Sequence, residues 1–152
     1  MPNSGTNEAI GGGGFHHVAI RVRDFEASLK FYIEGLGFKK GYGWGSDERE
    51  SGGKDTRAAM LNGGDGNYME VFAGGTRPLG ELAPEEIFLH VAFRTSNAAA
   101  AMARALANGA TLYQDVKSVV PNNADEPKQT FTIGFVRGLD GELIEFFQND
   151  TL

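Results

Sequence analysis

The sequence predicts an α+β fold made of two tandem βαβββ modules, and three observations predict it. The first is an internal repeat. FHHVAIRVRDFEASL, from Phe15, lies over FLHVAFRTSNAAAAM, from Phe88, with His17 on His90, Val18 and Ala19 on Val91 and Ala92, and Arg21 on Arg94. The second is a repeat of a later block. AAMLNGGDGNYMEVF (58–72) lies over IGFVRGLDGELIEFF (133–147), with Asp65 and Gly66 on Asp140 and Gly141, Glu70 on Glu145 and Phe72 on Phe147. Self-similarity at a fixed spacing marks copies of one supersecondary unit. The third is the order of local signals in each copy: strand, helix, then three extended segments.

The elements follow in chain order. Residues 1–14 (MPNSGTNEAIGGGG) end in four glycines and are expected to be a flexible tail. His17–Val22 is rich in β-branched residues and reads as a strand. Asp24 follows as a helix N-cap, and Phe25, Leu29, Tyr32 and Leu36 recur at helical spacing. Gly35 and Gly37 stop that helix. An extended segment around Phe38–Tyr42 and a polar loop over 43–57 come next. Two strands then flank Asp65-Gly66, a dipeptide favoured in tight hairpins.

The second copy repeats the scheme. Leu89–Arg94 is its strand, Asn97 its cap, the Ala-rich 98–107 its helix and Gly109 its C-terminal stop. Thr111–Val116 is extended, 117–129 is a loop, and two strands flank Asp140-Gly141. One such module leaves an apolar sheet face uncovered, so two are expected to pair. The expected divisions are 1–14, 15–82 and 83–152, the last two forming one domain.

Composition narrows the function. The 152 residues contain no Cys, which excludes disulfides, thiolate metal sites and cysteine nucleophiles. A formal net charge of −6 argues against a nucleic-acid binder, whose footprint is a basic patch. No apolar run approaches the ~20 residues that span a bilayer, and the N-terminus lacks the basic and apolar regions of a secretion signal. A soluble, cytoplasmic protein acting on a small molecule, with no nucleic-acid or membrane partner, is the expectation.

Side chains alternate across a strand. Val18, Ile20 and Val22 therefore share one face, expected to pack on the helix, and His17, Ala19 and Arg21 share the other. In the twin strand His90, Ala92 and Arg94 share a face. Glu70 sits among Tyr68 and Phe72, and Glu145 among Leu143 and Phe147. Taken singly, a strand histidine is most simply structural, and Arg21, Arg94 and the two Asp-Gly turns need no function. His16, expected to point opposite to His17, is read as structural too.

Taken jointly, the pattern points elsewhere. Two of the three histidines and two glutamates occupy repeat-equivalent positions. Carboxylates are rarely buried without a partner. A pseudo-twofold relation would bring His17, Glu70, His90 and Glu145 symmetrically into a cleft between the modules. Two imidazoles and two carboxylates are an N/O ligand set for Zn, Ni, Co, Mn or Fe.

The segments HHVAIRVRDFEASLKFYIEGLGF, NYMEVF, LHVAF and GLDGELIEFF resemble the vicinal oxygen chelate superfamily, and the resemblance covers residues 15–149. That superfamily includes glyoxalase I, methylmalonyl-CoA epimerase, extradiol dioxygenases, fosfomycin-resistance enzymes and bleomycin-resistance proteins. The resemblance implies paired modules in a cupped mixed sheet with helices outside, the glyoxalase/bleomycin resistance/dihydroxybiphenyl dioxygenase fold. It implies one divalent metal ion per site, held by His17, Glu70, His90 and Glu145.

A set of four ligands leaves an octahedral metal two open positions, whereas a ring-cleaving dioxygenase needs three. The His/Glu/His/Glu set looks like bacterial glyoxalase I, a lyase that moves a proton through a metal-chelated enediolate. By that likeness Glu145 is the first candidate for the base and Glu70 the second. The alternatives are an acyl-CoA epimerase, an Fe(II) ring-cleaving dioxygenase and an antibiotic-resistance or binding protein.

The stretch after Glu70 (Val71-Phe72-Ala73-Gly74-Gly75) lacks the Asn usual in glyoxalase I, and 41–57 matches no glutathione or CoA site. The expected substrate is therefore a small oxygenated molecule, with glutathione left unspecified. Tyr42, Trp44, Arg57, Asn122 and Asn123 lie in the variable segments as possible substrate contacts, though an ordinary loop role is the simpler reading. A homodimer is the default for a small symmetric domain.

Overall fold

The computed structural model describes residues 15–76 and 89–150, which fall into two compact units. The expected tail over 1–14 and the expected boundary between residues 82 and 83 lie outside the described residues. The first unit contains β1 (His17–Arg21), α1 (Phe25–Lys30), β2 (Lys39–Trp44), β3 (Ala58–Asn62) and β4 (Tyr68–Phe72). The second contains β5 (Val91–Arg94), α2 (Ala98–Ala107), β6 (Thr111–Val119), β7 (Phe131–Arg137) and β8 (Leu143–Gln148). Each unit is thus βαβββ and builds one four-stranded mixed sheet, in the orders β1-β4-β3-β2 and β5-β8-β7-β6. No described helix is long and apolar enough to cross a membrane.

The repeat seen in the sequence extends to strand register. β1 runs parallel to β4 with Ala19 opposite Glu70, and β5 runs parallel to β8 with Ala92 opposite Glu145. The hairpins close alike, by Gly63 N–H to Asn67 O at 3.0 Å and Gly138 N–H to Glu142 O at 2.9 Å. Gly66 and Gly141 have φ of 88° and 85°, a region costly for residues that carry a Cβ. Both helices begin on a side-chain cap: Asp24 Oδ1 accepts from Ala27 N–H and Asn97 Oδ1 from Ala100 N–H, each at 3.0 Å.

Three boundaries differ from expectation. α1 gives way to a π-helical turn at Phe31–Gly35, closed by Phe38 N–H to Tyr32 O at 3.0 Å. The wider turn buries Phe31 as well as Tyr32, so the apolar stripe is broader than the spacing suggested. β2 runs two residues past the expected extended segment to Trp44, placing Trp44 on a strand instead of in a loop. β6 continues past Val116 to Val119, carrying register irregularities between Leu112 and Gln114 and between Gln114 and Lys117. Those irregularities break the two-residue alternation that would have revealed it.

The first core gathers Val22, Phe25, Leu29, Phe31, Tyr32, Ala59, Leu61, Met69 and Val71. Val18, expected to join it, stays exposed. The reason is placement: β1 is an edge strand, and α1 packs on β4. In the second unit α2 lies on β6, β7 and β8. Close approach there needs Gly134, where a Cβ would meet Met102 Cε at 2.5 Å.

Candidate metal centre

Strand pairing assembles each half of the candidate ligand set. In a parallel pair, residues opposite one another project to the same side. Ala19 and Glu70 therefore share a side, and His17, two residues before Ala19, shares it too. The small Ala19 leaves the diagonal open. His17 Nε2 comes within 3.2 Å of Glu70 Oε2. The second unit repeats this across Ala92, and His90 Nε2 lies 2.9 Å from Glu145 Oε2. The carboxylate side chains are only 13% and 10% exposed.

Among the described residues, neither carboxylate pairs with a Lys or an Arg. A neutral imidazole nitrogen beside a carboxylate oxygen is suitable donor chemistry for a divalent first-row cation. The structure joins His17 to Glu70 and His90 to Glu145. Among the described residues no group of three or more His, Cys, Asp or Glu side chains is placed to hold a metal ion.

Sequence reasoning misplaced His16. It precedes β1, so strand alternation does not govern it. Its ring stacks on Tyr68 at 5.2 Å and 24°, and its Nδ1 lies 3.0 Å from His17 Nδ1. The doublet His16-His17 was the available signal. The twin position holds Leu89, and the His90 ring instead meets Phe135 edge-on at 5.4 Å.

The other candidates divide. Tyr42 and Trp44 pair with Met60 and Ala58, which pair in turn with Glu70 and Phe72, so they share the side of the sheet that carries Glu70. Trp44 meets the Phe72 ring edge-on at 6.0 Å. Arg21 is structural: it donates to Ala73 O at 2.9 Å and lies over the Phe72 ring. Asn123 takes a positive φ of 56° in a turn, a conformation that Asn tolerates better than most residues.

Arg57 is held in an ion network. It bonds Glu26 Oε1 at 2.6 Å, Asp55 through two nitrogens at 2.9 and 2.8 Å, and stacks over Phe25. Arg49 grips Asp47 in the same two-pronged way, at 2.8 and 2.6 Å. The side-chain bond from Arg49 holds the Asp47 carboxyl well below its usual range, and that from Arg57 lowers Asp55.

Because both carboxyls are held low in the folded chain, their contribution to stability is fully present above the ordinary carboxylate value of ~3.9 and is lost as pH falls through the depressed folded values. Carboxyl-carbon NMR titration should find Asp47 and Asp55 among the last to protonate, and the loop amides should shift only at those low pH values. Arg49→Ala should return Asp47, and Arg57→Ala should return Asp55, toward the ordinary range.

Comparison with known proteins adds four results. The family model described as Glyoxalase/Bleomycin resistance protein/Dioxygenase superfamily matches residues 14–146. The uncharacterized protein YwbC of Bacillus subtilis is 31% identical over 134 residues, covering 87% of this chain and 94% of YwbC. Among solved structures, a glyoxalase family protein from Enterococcus faecalis superposes with a TM-score of 0.62 at 24% identity, over 88% of this chain and 96% of that one. A variant of the fosfomycin resistance protein FosX from Listeria monocytogenes, complexed with Mn(II) and 1S,2S-dihydroxypropylphosphonic acid, superposes at 0.60 with 16% identity, over 90% and 93%. At these identities the two structures show a shared fold.

Proposed function

The chain belongs to the glyoxalase/bleomycin resistance protein/dioxygenase superfamily, and from that premise we propose that it is a divalent-metal-dependent, glyoxalase I-like lyase or isomerase acting on a small oxygenated substrate. The observation that carries the reading is the doubled pair, His17 with Glu70 and His90 with Glu145, in equivalent registers of two units. Each pair offers an imidazole nitrogen and a carboxylate oxygen, donor types suited to a divalent first-row cation. The solved FosX complex with Mn(II) is consistent with a divalent cation in this family.

A bound cation would supply Lewis-acid stabilisation of charge developing on two neighbouring substrate oxygens. His17 and His90 would contribute imidazole nitrogens to such a cation without adding charge. Glu145 acts as the base, taking a proton from one carbon and returning it to the adjacent one, and Glu70 is the second candidate for that role. The two carboxylates are similarly withdrawn from water, at 10% side-chain exposure for Glu145 and 13% for Glu70. Tyr42 and Trp44 offer apolar contact surface on the side of the sheet that carries Glu70.

The test begins with protein purified without chelator. Metal analysis should find Zn, Ni, Co or Mn at one ion per site, and reconstituted protein should isomerise the hemithioacetal of methylglyoxal or a related α-hydroxycarbonyl compound. Glu145→Gln should cost ~100-fold or more in kcat, the scale of a lost general base, while Glu70→Gln falls short of that. Iron with O₂ consumption on a catechol would overturn the reading in favour of ring cleavage. Turnover of fosfomycin or of an acyl-CoA alone would move it to those reactions. Metal-free protein that tightly binds an antibiotic would make it a resistance protein.

A further inference from the structure

We propose that His16 is a positioning residue for His17, an inference that rests on the metal-ligand reading above. The two rings meet Nδ1 to Nδ1 at 3.0 Å, while His17 Nε2 faces Glu70 Oε2 at 3.2 Å. In a neutral pair only one of the facing Nδ1 atoms carries a proton, so the two rings hold opposite tautomers.

Metal-free, the Glu70 carboxylate accepts from His17 Nε2–H, so His16 Nδ1–H donates to His17 Nδ1. When Nε2 serves as a ligand atom, its proton must leave that nitrogen. The proton of His16 Nδ1 passes to His17 Nδ1, His16 Nδ1 then accepts from it, and solvent takes up the proton leaving His17 Nε2 and supplies one to His16 Nε2. Protons balance: two on the pair before and two after.

Groups that occupy the far nitrogen of a ligand histidine fix its ring and tautomer, and their loss costs ~10–100-fold in metal affinity. His16 is itself held, by stacking on Tyr68 and by its carbonyl accepting from Tyr68 N–H at 2.8 Å. Among the described residues the second unit has no such device. Leu89 stands at the equivalent position, and His90 is steadied by the edge of Phe135. The two His–Glu pairs are therefore unequal, and the pair containing Glu70 is the one whose imidazole can be reset by a neighbour.

Two variants separate this role from simple packing. His16→Phe keeps a ring over Tyr68 and removes the nitrogen. His16→Asn keeps a hydrogen-bonding group near the Nδ1 position and removes the ring. Titration of the full-length, metal-free protein with Co(II) should show affinity ~10–100-fold weaker for His16→Phe and near wild type for His16→Asn. Long-range ¹H–¹⁵N correlation on the metal-free wild type should show the Nδ1–H form for His16 and the Nε2–H form for His17.

Wild-type Co(II) affinity in His16→Phe, or a matching loss in both variants, overturns the proposal. If wild-type protein takes up no Co(II), the metal reading falls, and the tautomer measurement alone decides this one. Opposite tautomers that become scrambled at His17 in His16→Phe support it, and like tautomers overturn it.

Discussion

A Glu70→Gln, Glu145→Gln double variant is expected to lose its divalent cation, with metal content falling more than ~100-fold, beyond the ~10–100-fold range of an outer-shell loss. The exchange is nearly isosteric, so it removes charge and little else. Each carboxylate is largely buried, and His17 or His90 is its partner at 3.2 or 2.9 Å. A glutamine amide oxygen can still accept from the imidazole, so metal-free folding should survive. Two neutral imidazoles and two neutral amides leave the charge of a dication uncompensated, and that loss governs affinity for hard cations such as Mn. The single variants test the symmetry: each should weaken binding, and both should be recoverable at high metal concentration. A double variant that keeps its metal through dialysis, with an unchanged melting temperature, would sink the ligand assignment.

What could be read from the sequence was what is set locally or by repetition. The twin caps Asp24 and Asn97, the Asp-Gly hairpins and the βαβββ order each depend on a few neighbouring residues, and the second copy checks the first. The recurrence of His17 at His90 and of Glu70 at Glu145 was legible from the repeat, whereas the pairing of each His with its Glu depends on the register of two distant strands. The π-helical turn was not, since Phe31 and Tyr32 lie on adjacent positions that an ideal helix separates. Neither was His16, whose direction is set by the chain entering β1, where alternation has no force. Arg57 had its role decided by partners at positions 26, 47 and 55, a long-range arrangement that no spacing announces.

Repeat logic also makes a testable error at Tyr32. At the first block's offset its twin is Ala105, and both are 0% exposed. Sequence symmetry alone therefore suggests that Tyr32→Ala would be tolerated. Packing says otherwise. The Tyr32 ring meets Phe31 at 5.3 Å and Phe38 at 5.8 Å, both edge-on, in a cluster that the π-helical turn creates in the first unit alone. The twin of Phe31 is Arg104, which is exposed, so the second unit has no corresponding aromatic cluster. There Gly134 lets Met102 down onto the sheet, and space is filled by approach instead of by rings. Truncating Tyr32 leaves a void that Phe31 and Phe38, each fixed by its own backbone, can only partly fill. The expected loss is about 3–5 kcal/mol, the range for deleting a buried aromatic side chain. Urea unfolding should show a lower midpoint with an unchanged slope. The reverse change, Ala105→Tyr, should also destabilise, by about 1–3 kcal/mol or more, because an overpacked core must shift its backbone. A loss under about 1 kcal/mol for Tyr32→Ala would mean that the first unit can collapse to the packing of the second, and that its aromatic cluster is dispensable to the fold.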